Sequence, residues 1–227
     1  MNTLAIIPAR GGSKGIPKKN MRTFLGKPLV VHSIETAKES KFVDKIVVST
    51  DDDEIAKISK NAGAEIIERP AEIAGDSATT ESAMAHCLDE LKMQNYEPNF
   101  VVLLQPTSPI RPKNCIDSAV EQMKKEKFDS LLSVVQSHKF FWKQTQYGAS
   151  ASYDFLNRPR RQDISEDEII WQENGSLYIC TMENFRKTGN RLGGKIGLFE
   201  MPEECGGEID TELDFQILEK IGKEFAK

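Results

Sequence analysis

Short apolar runs of strand length recur along the chain, and each is followed by a stretch with helical or turn-rich patterning. The predicted strands are Leu4–Ile7, Lys45–Ser49, Glu65–Ile67, Phe100–Leu104 and Leu131–Val135. The predicted helices between them are Leu29–Glu39, Asp53–Asn61, Ser82–Met93 and Cys115–Lys125. Strands that alternate with helices are typical of a mostly parallel sheet covered by helices. The pattern therefore predicts an α/β fold.

This regularity breaks between residues 138 and 174, where aromatic and cationic side chains are mixed. It returns with the apolar runs Ser176–Ile179 and Ile196–Met201 and with a predicted helix over Leu213–Phe225. Long loops are unusual inside a compact domain, and aromatic residues and arginine are enriched at interfaces. We interpret 138–174 as a protruding arm that packs on another subunit. A lid or loop folded on its own domain is the alternative.

Composition narrows the class of protein. No linker or low-complexity run divides the 227 residues, so we expect 1–227 to form a single domain with the arm as an appendage. The formal charge of −5 argues against general binding to nucleic acid or to anionic membranes. The four cysteines lack zinc spacing, and no segment resembles a signal peptide or a membrane helix. We expect a cytoplasmic protein with reduced thiols.

A glycine-rich, basic loop directly follows the first predicted strand. Glycines let the backbone approach phosphate oxygens, and consecutive N–H groups together with cations bind anions. The spacing matches neither a P-loop nor a dinucleotide fingerprint, and a solvated basic turn is the plainer interpretation. Ligands of open parallel sheets bind beyond the carboxyl ends of the strands, where this loop lies. The loop cations are Arg10, Lys14, Lys18, Lys19 and Arg22.

Two further segments carry polar groups. The loop after the fourth predicted strand offers Gln105, Thr107, Ser108 and Arg111 for substrate recognition, although a helix-capping turn explains it equally well. Near the C-terminus, the carboxylates of Glu208-Ile-Asp210 lie on one side of an extended segment, with the isoleucine facing inward. Such a pair suits Mg²⁺ that also contacts phosphates, and capping of the next helix is the alternative.

Together these parts indicate a transferase that acts on a nucleoside triphosphate. Positioning and neutralisation of phosphate charge supply most of the acceleration in such reactions, so no covalent nucleophile is needed. The histidines His32 and His86 fall within predicted helices, and no Ser/His/Asp or Cys/His set is evident.

Four motifs in order resemble the CMP-sialic acid synthetase (acylneuraminate cytidylyltransferase) family over nearly the whole chain. They are the segments 7–20 (IPARGGSKGIPKKN), 105–111 (QPTSPIR), 173–179 (ENGSLYI) and 208–214 (EIDTELD). The resemblance implies a Rossmann-like nucleotidyltransferase fold, a three-layer sandwich. It also implies transfer of CMP from CTP to the anomeric 2-hydroxyl of a nonulosonic (sialic-type) acid, with Mg²⁺ as cofactor and release of pyrophosphate. The family is dimeric, and its arm reaches the active site of the partner.

The resemblance also assigns roles to matching positions. It implies catalytic roles for Arg10, Lys14, Lys19 and Asp210, and metal binding by Glu208 and Asp210. Nucleotide binding is implied for Ala9, Arg10, Gly11, Asn20, Arg69, Ala78 and Thr80. Binding of the acceptor sugar is implied for Gln105, Lys143 and Arg160.

Two positions depart from the family pattern. Glu208 stands where the family usually has aspartate, and Gln172 stands where some members carry arginine. Either change is consistent with a different sugar, such as legionaminic or pseudaminic acid instead of N-acetylneuraminic acid. The rival hypotheses are a 3-deoxy-octulosonate cytidylyltransferase and a non-catalytic nucleotide-binding scaffold.

Overall fold

A computed structural model describes residues 2–13, 15–165 and 168–225. Its strands are β1 Thr3–Pro8, β2 Thr23–Phe24, β3 Lys27–Pro28, β4 Lys45–Thr50, β5 Glu65–Glu68, β6 Phe100–Leu104, β7 Ser130–Ser137, β8 Trp142–Thr145, β9 Gly148–Ala151, β10 Ile170–Thr181 and β11 Ile196–Glu200. Its helices are α1 Leu29–Glu39, α2 Asp53–Ala62, α3 Thr80–Met93, α4 Cys115–Glu126, α5 Met182–Thr188 and α6 Glu212–Phe225. None of these helices is both long enough and apolar enough to cross a membrane.

Seven strands form the central sheet in the order β11-β7-β10-β6-β1-β4-β5. The neighbouring pairs are parallel except those of β10, which runs antiparallel to both β6 and β7. Residues Phe100–Leu104 of β6 are buried along their whole length, as expected for a central strand covered on both faces. The predicted mostly parallel sheet is confirmed.

Alternate residues of β1 enter two separate hydrophobic cores. Ala5 and Ile7 pack in the larger core, which also contains buried residues of α1, α2, α4 and α6. Leu4 and Ile6 pack in the second core with buried residues of α3 and α5. Because successive strand side chains point to opposite faces, the sheet lies between two helical layers. The predicted three-layer sandwich is confirmed.

Capping groups set the helix boundaries. Asp52 Oδ1 accepts a hydrogen bond from the Ile55 N–H at 2.9 Å at the start of α2, and Gly63 ends that helix with φ +100°. Thr79 caps α3 in the same way, so this helix begins before the predicted Ser82. The short helix α5 was not predicted, although Thr181 caps its start.

The predicted arm is shorter than its sequence pattern indicated. Residues 170–174 belong to β10, and Ile170 to Glu173 pair with β7. Of the remaining segment, β8 and β9 form a hairpin. The ring of Trp142 contacts Tyr153 and Phe155, which follow the hairpin, and Phe140 before it also contacts Tyr153. Tyr147 at the hairpin tip is 92% exposed, and Leu156 is 81% exposed. The excursion from the sheet is therefore confined to residues 138–169.

Candidate active site

A cleft of about 480 Å³ opens beyond the carboxyl ends of β1 and β6. Its walls come from the loop after β1, the turn before α3, the loop after β6 and the segment that precedes α6. This is the edge at which open α/β sheets bind ligands. The cleft brings together many of the residues that the sequence singled out, namely Arg10, Lys19, Asn20, Arg69, Ala78, Thr80, Gln105 and Asp210.

The loop after β1 is anchored to the neighbouring strand β4. The Ala9 N–H donates to Ser49 O at 2.9 Å, and the Gly11 N–H donates to Asp51 Oδ1 at 2.9 Å. Ala9 is fully buried, so it supports the loop from below and does not line the cleft. Asn20 Nδ2 donates to Arg10 O at 2.9 Å and thereby fixes the backbone that carries this arginine.

Lys19 joins the basic loop to the acidic segment near the C-terminus. Its Nζ donates to Ile209 O at 2.7 Å and to Asp210 Oδ1 at 3.2 Å, and its side chain is only 13% exposed. A Cβ on Gly15 would overlap the carbonyl oxygen of Asp210, so the two backbones approach closely only because residue 15 is glycine. The result is a cation and a carboxylate side by side on the cleft wall.

The other cations of the loop have different positions. Lys18 Nζ lies 2.7 Å from Glu54 Oε2, and Arg22 pairs with Glu212 at the start of α6. Neither side chain lines the cleft. The prediction that all the basic side chains of this loop surround one ligand is therefore wrong. Lys14, which was assigned a catalytic role, lies outside the described residues.

The opposite wall is formed around Arg69 and the N-terminus of α3. Arg69 is buried, with Nε donating to Ser49 Oγ at 3.0 Å and Nη2 donating to Ser49 O at 2.8 Å. Burial lowers the pKa of its guanidinium from the ordinary value. Ala78 and Thr80 lie just beyond, in the turn and in the first residue of α3. This wall combines a fixed cation with small side chains, which leaves room for a planar ligand.

The loop after β6 is held from beneath by a partly buried arginine. Arg111 Nη2 donates to Gln105 O at 2.7 Å and to Ser176 O at 3.0 Å, and burial lowers its pKa to about 10. Ser108 is also buried and donates to Asn174 O at 3.0 Å. Both side chains were predicted to recognise a substrate, but in the structure they support the loop. Within the loop after β6, only residues 105 to 107 line the cleft.

The two carboxylates of the acidic segment face different spaces. Asp210 lines the cleft, whereas Glu208 lines a neighbouring cavity of about 460 Å³ together with Gln172. Ile209 between them is fully buried, as predicted. Burial raises the pKa of Glu208, and the nearby carboxylates of Asp210 and Glu173 raise it further.

Capping of α6 is done by other residues. Asp214 Oδ2 accepts hydrogen bonds from the Thr211 N–H at 2.8 Å and from the Asp210 N–H at 3.2 Å. In return, the Asp214 N–H donates to Thr211 Oγ1 at 3.2 Å, so the pair forms a capping box. The Asp210 side chain is therefore not needed as a helix cap.

Asn174 is a supporting residue that was not recognised as one from sequence. Fully buried, it donates from Nδ2 to Cys205 O at 3.0 Å and accepts at Oδ1 from Ser133 Oγ at 2.6 Å. The next residue, Gly175, has φ +65°, and a Cβ there would overlap the Glu208 carboxylate. The Asn-Gly dipeptide, which is typical of turns, was the available signal for this irregularity within β10.

Two predicted sugar-binding residues lie away from the cleft within this chain. Lys143 is exposed on β8, and Arg160 is exposed with its Nε 2.6 Å from Asp163 Oδ2. None of the described residues from 138 to 169 lines the cleft, so the arm does not cover the cleft of its own chain. Lys139 and Arg161 of this segment instead line the cavity beside Glu208, together with residues of α6 in the same chain.

The mostly parallel sheet, with a cleft beyond the carboxyl ends of its strands, is a Rossmann-like α/β fold. A solved structure of CMP:2-keto-3-deoxy-manno-octonic acid synthetase complexed with CTP shares this fold, with a TM-score of 0.71 at 18% identity over 99% of each chain. A solved 4-diphosphocytidyl-2C-methyl-D-erythritol synthase has a TM-score of 0.70 at 11% identity, covering 97% of this chain and 98% of that one.

Sequence comparison gives the family. A model described as Cytidylyltransferase matches residues 4–174, and the chain belongs to this family. N-acylneuraminate cytidylyltransferase A of Danio rerio is 37% identical over 222 residues, 95% of this chain and 50% of that protein. Pseudaminic acid cytidylyltransferase of Campylobacter jejuni is 30% identical over 244 residues, 100% of both chains. The chain spans about half the length of the N-acylneuraminate cytidylyltransferases it matches.

Proposed function

We propose that this protein transfers CMP from CTP to the anomeric 2-hydroxyl of a nonulosonic acid and releases pyrophosphate. The main support for this proposal is the placement of cations in the cleft. Arg10 and Lys19 lie on one wall, and Arg69 lies on the other. The first two cations suit a triphosphate, and the space between Arg69 and Ala78 suits the cytosine. Relatives named for transfer to N-acylneuraminate and to pseudaminic acid support a nine-carbon acid as acceptor.

A divalent cation fits the acidic segment. Burial raises the pKa of Glu208, and the carboxylates of Asp210 and Glu173 raise it further. A cation held by Asp210 and Glu208 would relieve the repulsion between these two carboxylates. Mg²⁺ is commonly held by one or two carboxylates together with waters and substrate phosphates. We assign Asp210 and Glu208 to this site. When bound, Mg²⁺ neutralises phosphate charge and lowers the pKa of an oxygen ligand.

In the proposed reaction, the acceptor hydroxyl attacks the α-phosphorus in line with the departing pyrophosphate. Arg10 and Lys19 neutralise the charge that builds up on the pyrophosphate oxygens, and Lys14 is proposed to join them. Lys19 is already held at Asp210, so its ammonium group is positioned before the substrate arrives. Gln105 is proposed to orient the acceptor, and the hydrogen bond from Arg111 to its carbonyl oxygen supports this role by fixing its backbone.

Lys143 and Arg160, the predicted cations for the sugar carboxylate, do not line the cleft of their own chain. We propose that the protein is a homodimer in which Arg160 and Lys143 of one arm complete the cleft of the partner. The exposed aromatic residues of the hairpin, including Trp142 at 54% and Tyr147 at 92%, support a role of the arm in assembly. We propose the cytoplasm as its compartment, because the four cysteines are free and CTP is available there.

The test is pyrophosphate release with CTP and a panel of acceptors, namely N-acetylneuraminic, legionaminic, pseudaminic and 3-deoxy-octulosonic acids. We expect release with at least one nine-carbon acid and CTP, and little with ATP, GTP or UTP. Release with the octulosonic acid alone would assign the protein to the rival eight-carbon class. No release with any acceptor would support a nucleotide-binding scaffold.

A matched pair of variants links this activity to the cleft. Arg10→Gln removes a cation from the cleft and should lower turnover by about 10²-fold or more. Lys18→Gln removes a cation of the same loop that pairs with Glu54 outside the cleft, and turnover should stay within about twofold of wild type. Equal effects of the two substitutions would contradict the assigned phosphate site.

A further inference from the structure

A carboxylate faces Arg10 across the cleft. Asp76 Oδ1 lies 3.1 Å from Arg10 Nη1, and both side chains line the cavity. Asp76 stands in a tight turn, in which the Ala78 N–H donates to Gly75 O at 3.1 Å, shortly before the cap of α3. The ion pair therefore connects the loop after β1 with the turn that carries Ala78, across the mouth of the cleft.

This arrangement creates competition for one cation. The Arg10 Nη1 group that contacts Asp76 is a donor that a phosphate oxygen would also use. A carboxylate that lines a cleft for a triphosphate also faces the ligand's negative charge at close range, and partial burial strengthens the repulsion. The pair is partly exposed, with side chains 32% and 51% accessible, so water and an incoming anion can reach it. Arg10 can therefore change partners at small cost.

We propose that Asp76 is a positioning residue that holds Arg10 over the empty cleft and gives it up to the phosphates of the incoming nucleotide. The proposal rests on the proposed function, because it requires the triphosphate to lie at the loop after β1. When pyrophosphate leaves, Arg10 returns to Asp76. Asp76 thus weakens nucleotide binding, and it favours the triphosphate over ligands that carry less phosphate charge.

The direct test is the affinity for CTP, measured by calorimetry at fixed Mg²⁺ without acceptor. Asp76→Asn should tighten CTP binding about two- to fivefold, the range expected for loss of a partly exposed competing ion pair. Glu72→Gln is the matched control, because Glu72 is an exposed carboxylate of the preceding 3-10 helix and does not line the cleft. This control should bind CTP like wild type. Unchanged or weaker binding by Asp76→Asn would overturn the proposal.

Steady-state kinetics add a readout that a purely structural role would not change. Asp76→Asn should lower the KM for CTP and strengthen inhibition by pyrophosphate by similar factors, while the KM for the acceptor and kcat remain within about twofold. Asp76→Glu should restore wild-type values, because it keeps the charge. A fall in kcat with a raised Mg²⁺ requirement would instead assign Asp76 to metal binding and overturn the positioning role.

A double-mutant cycle separates this inference from the proposed function. In the Arg10→Gln background, the tightening caused by Asp76→Asn should shrink by at least half, since no guanidinium remains to be released. Equal tightening in both backgrounds would mean that Asp76 repels phosphate directly, and would overturn the role through Arg10. If Arg10→Gln alone binds CTP as tightly as wild type, the phosphate site itself is wrong. If it binds more weakly, the site stands and Asp76→Asn decides the inference.

Discussion

At the scale of single residues, the site depends on two backbones that approach each other closely. Gly15 faces the carbonyl oxygen of Asp210, and the Lys19 ammonium group donates to the adjacent carbonyl of Ile209. These contacts place the loop after β1 against a segment nearly two hundred residues later in the chain. A larger side chain at position 15 would force the two apart and separate the cation from the carboxylate.

We therefore expect Gly15→Ala to lower turnover at least tenfold, because Asp210 and Lys19 would no longer share the cleft wall. Gly12→Ala is the control from the same loop, since a Cβ there meets nothing within 4 Å. Pyrophosphate release should be nearly normal for Gly12→Ala. Gly15→Ala should also melt at a lower temperature, so turnover of both variants is measured well below that temperature. Normal turnover of Gly15→Ala would show that the close approach has no functional role.

Glu208 gives a pH prediction at the same scale. Its pKa is raised in the folded protein, so its ionised form is less favourable there than in the unfolded chain. This penalty is absent below the ordinary pKa near 4.5 and develops fully as pH rises through the raised value. Without Mg²⁺, Glu208→Gln should therefore have a higher melting temperature than wild type at pH 7 to 8, and the difference should vanish towards pH 4. A lower melting temperature at pH 7 would contradict the assigned environment.

At the scale of elements, Arg111 links the loop after β6 to the strand β10. It donates to Gln105 O, to Ser176 O and, at 3.1 Å, to Ser33 Oγ of α1. Each acceptor would lose its buried partner in Arg111→Gln. We expect a loss of about 2–3 kcal/mol in the free energy of unfolding, measured by urea denaturation. A change below about 0.5 kcal/mol would show that the loop is held by other contacts.

The elements also show what the sequence could and could not predict. The sheet strands were predictable because runs such as Phe100–Leu104 are buried on both faces and leave little choice of structure. The hairpin β8–β9 was not, since its exposed residues follow no core pattern. The sequence grouped polar side chains by position along the chain, and it could not show that Arg111 turns inward while Gln105 faces the cleft. The contact between Lys19 and Asp210 could not be predicted either, because only the fold brings these two distant segments together.

At the scale of the whole molecule, the proposed site is complete only when two chains associate. The arm leaves the sheet at residue 138 and returns at 170, and none of its described residues lines the cleft of the same chain. If the arm completes the partner's cleft, a defect in the arm and a defect in the cleft can be carried by different subunits. Such defects should complement each other.

Mixing Arg160→Ala subunits with Arg10→Gln subunits should therefore restore activity. After random reassociation, half of the dimers are mixed and one of their two sites is intact, so about a quarter of wild-type turnover is expected. Each variant alone should have less than about a tenth of the turnover of the mixture. Turnover that stays at the level of the separate variants would show that each site is built from one chain. Co-purification of the two variants through different affinity tags would confirm that mixed dimers had formed.

The central claim is that CTP binds in the cleft after β1, and a crystal structure of the protein with CTP and Mg²⁺ tests it most directly. We expect phosphate oxygens within hydrogen-bonding distance of Arg10 and Lys19, and the cytosine ring between Arg69 and Ala78. CTP bound elsewhere, such as in the cavity beside Gln172, would contradict the account.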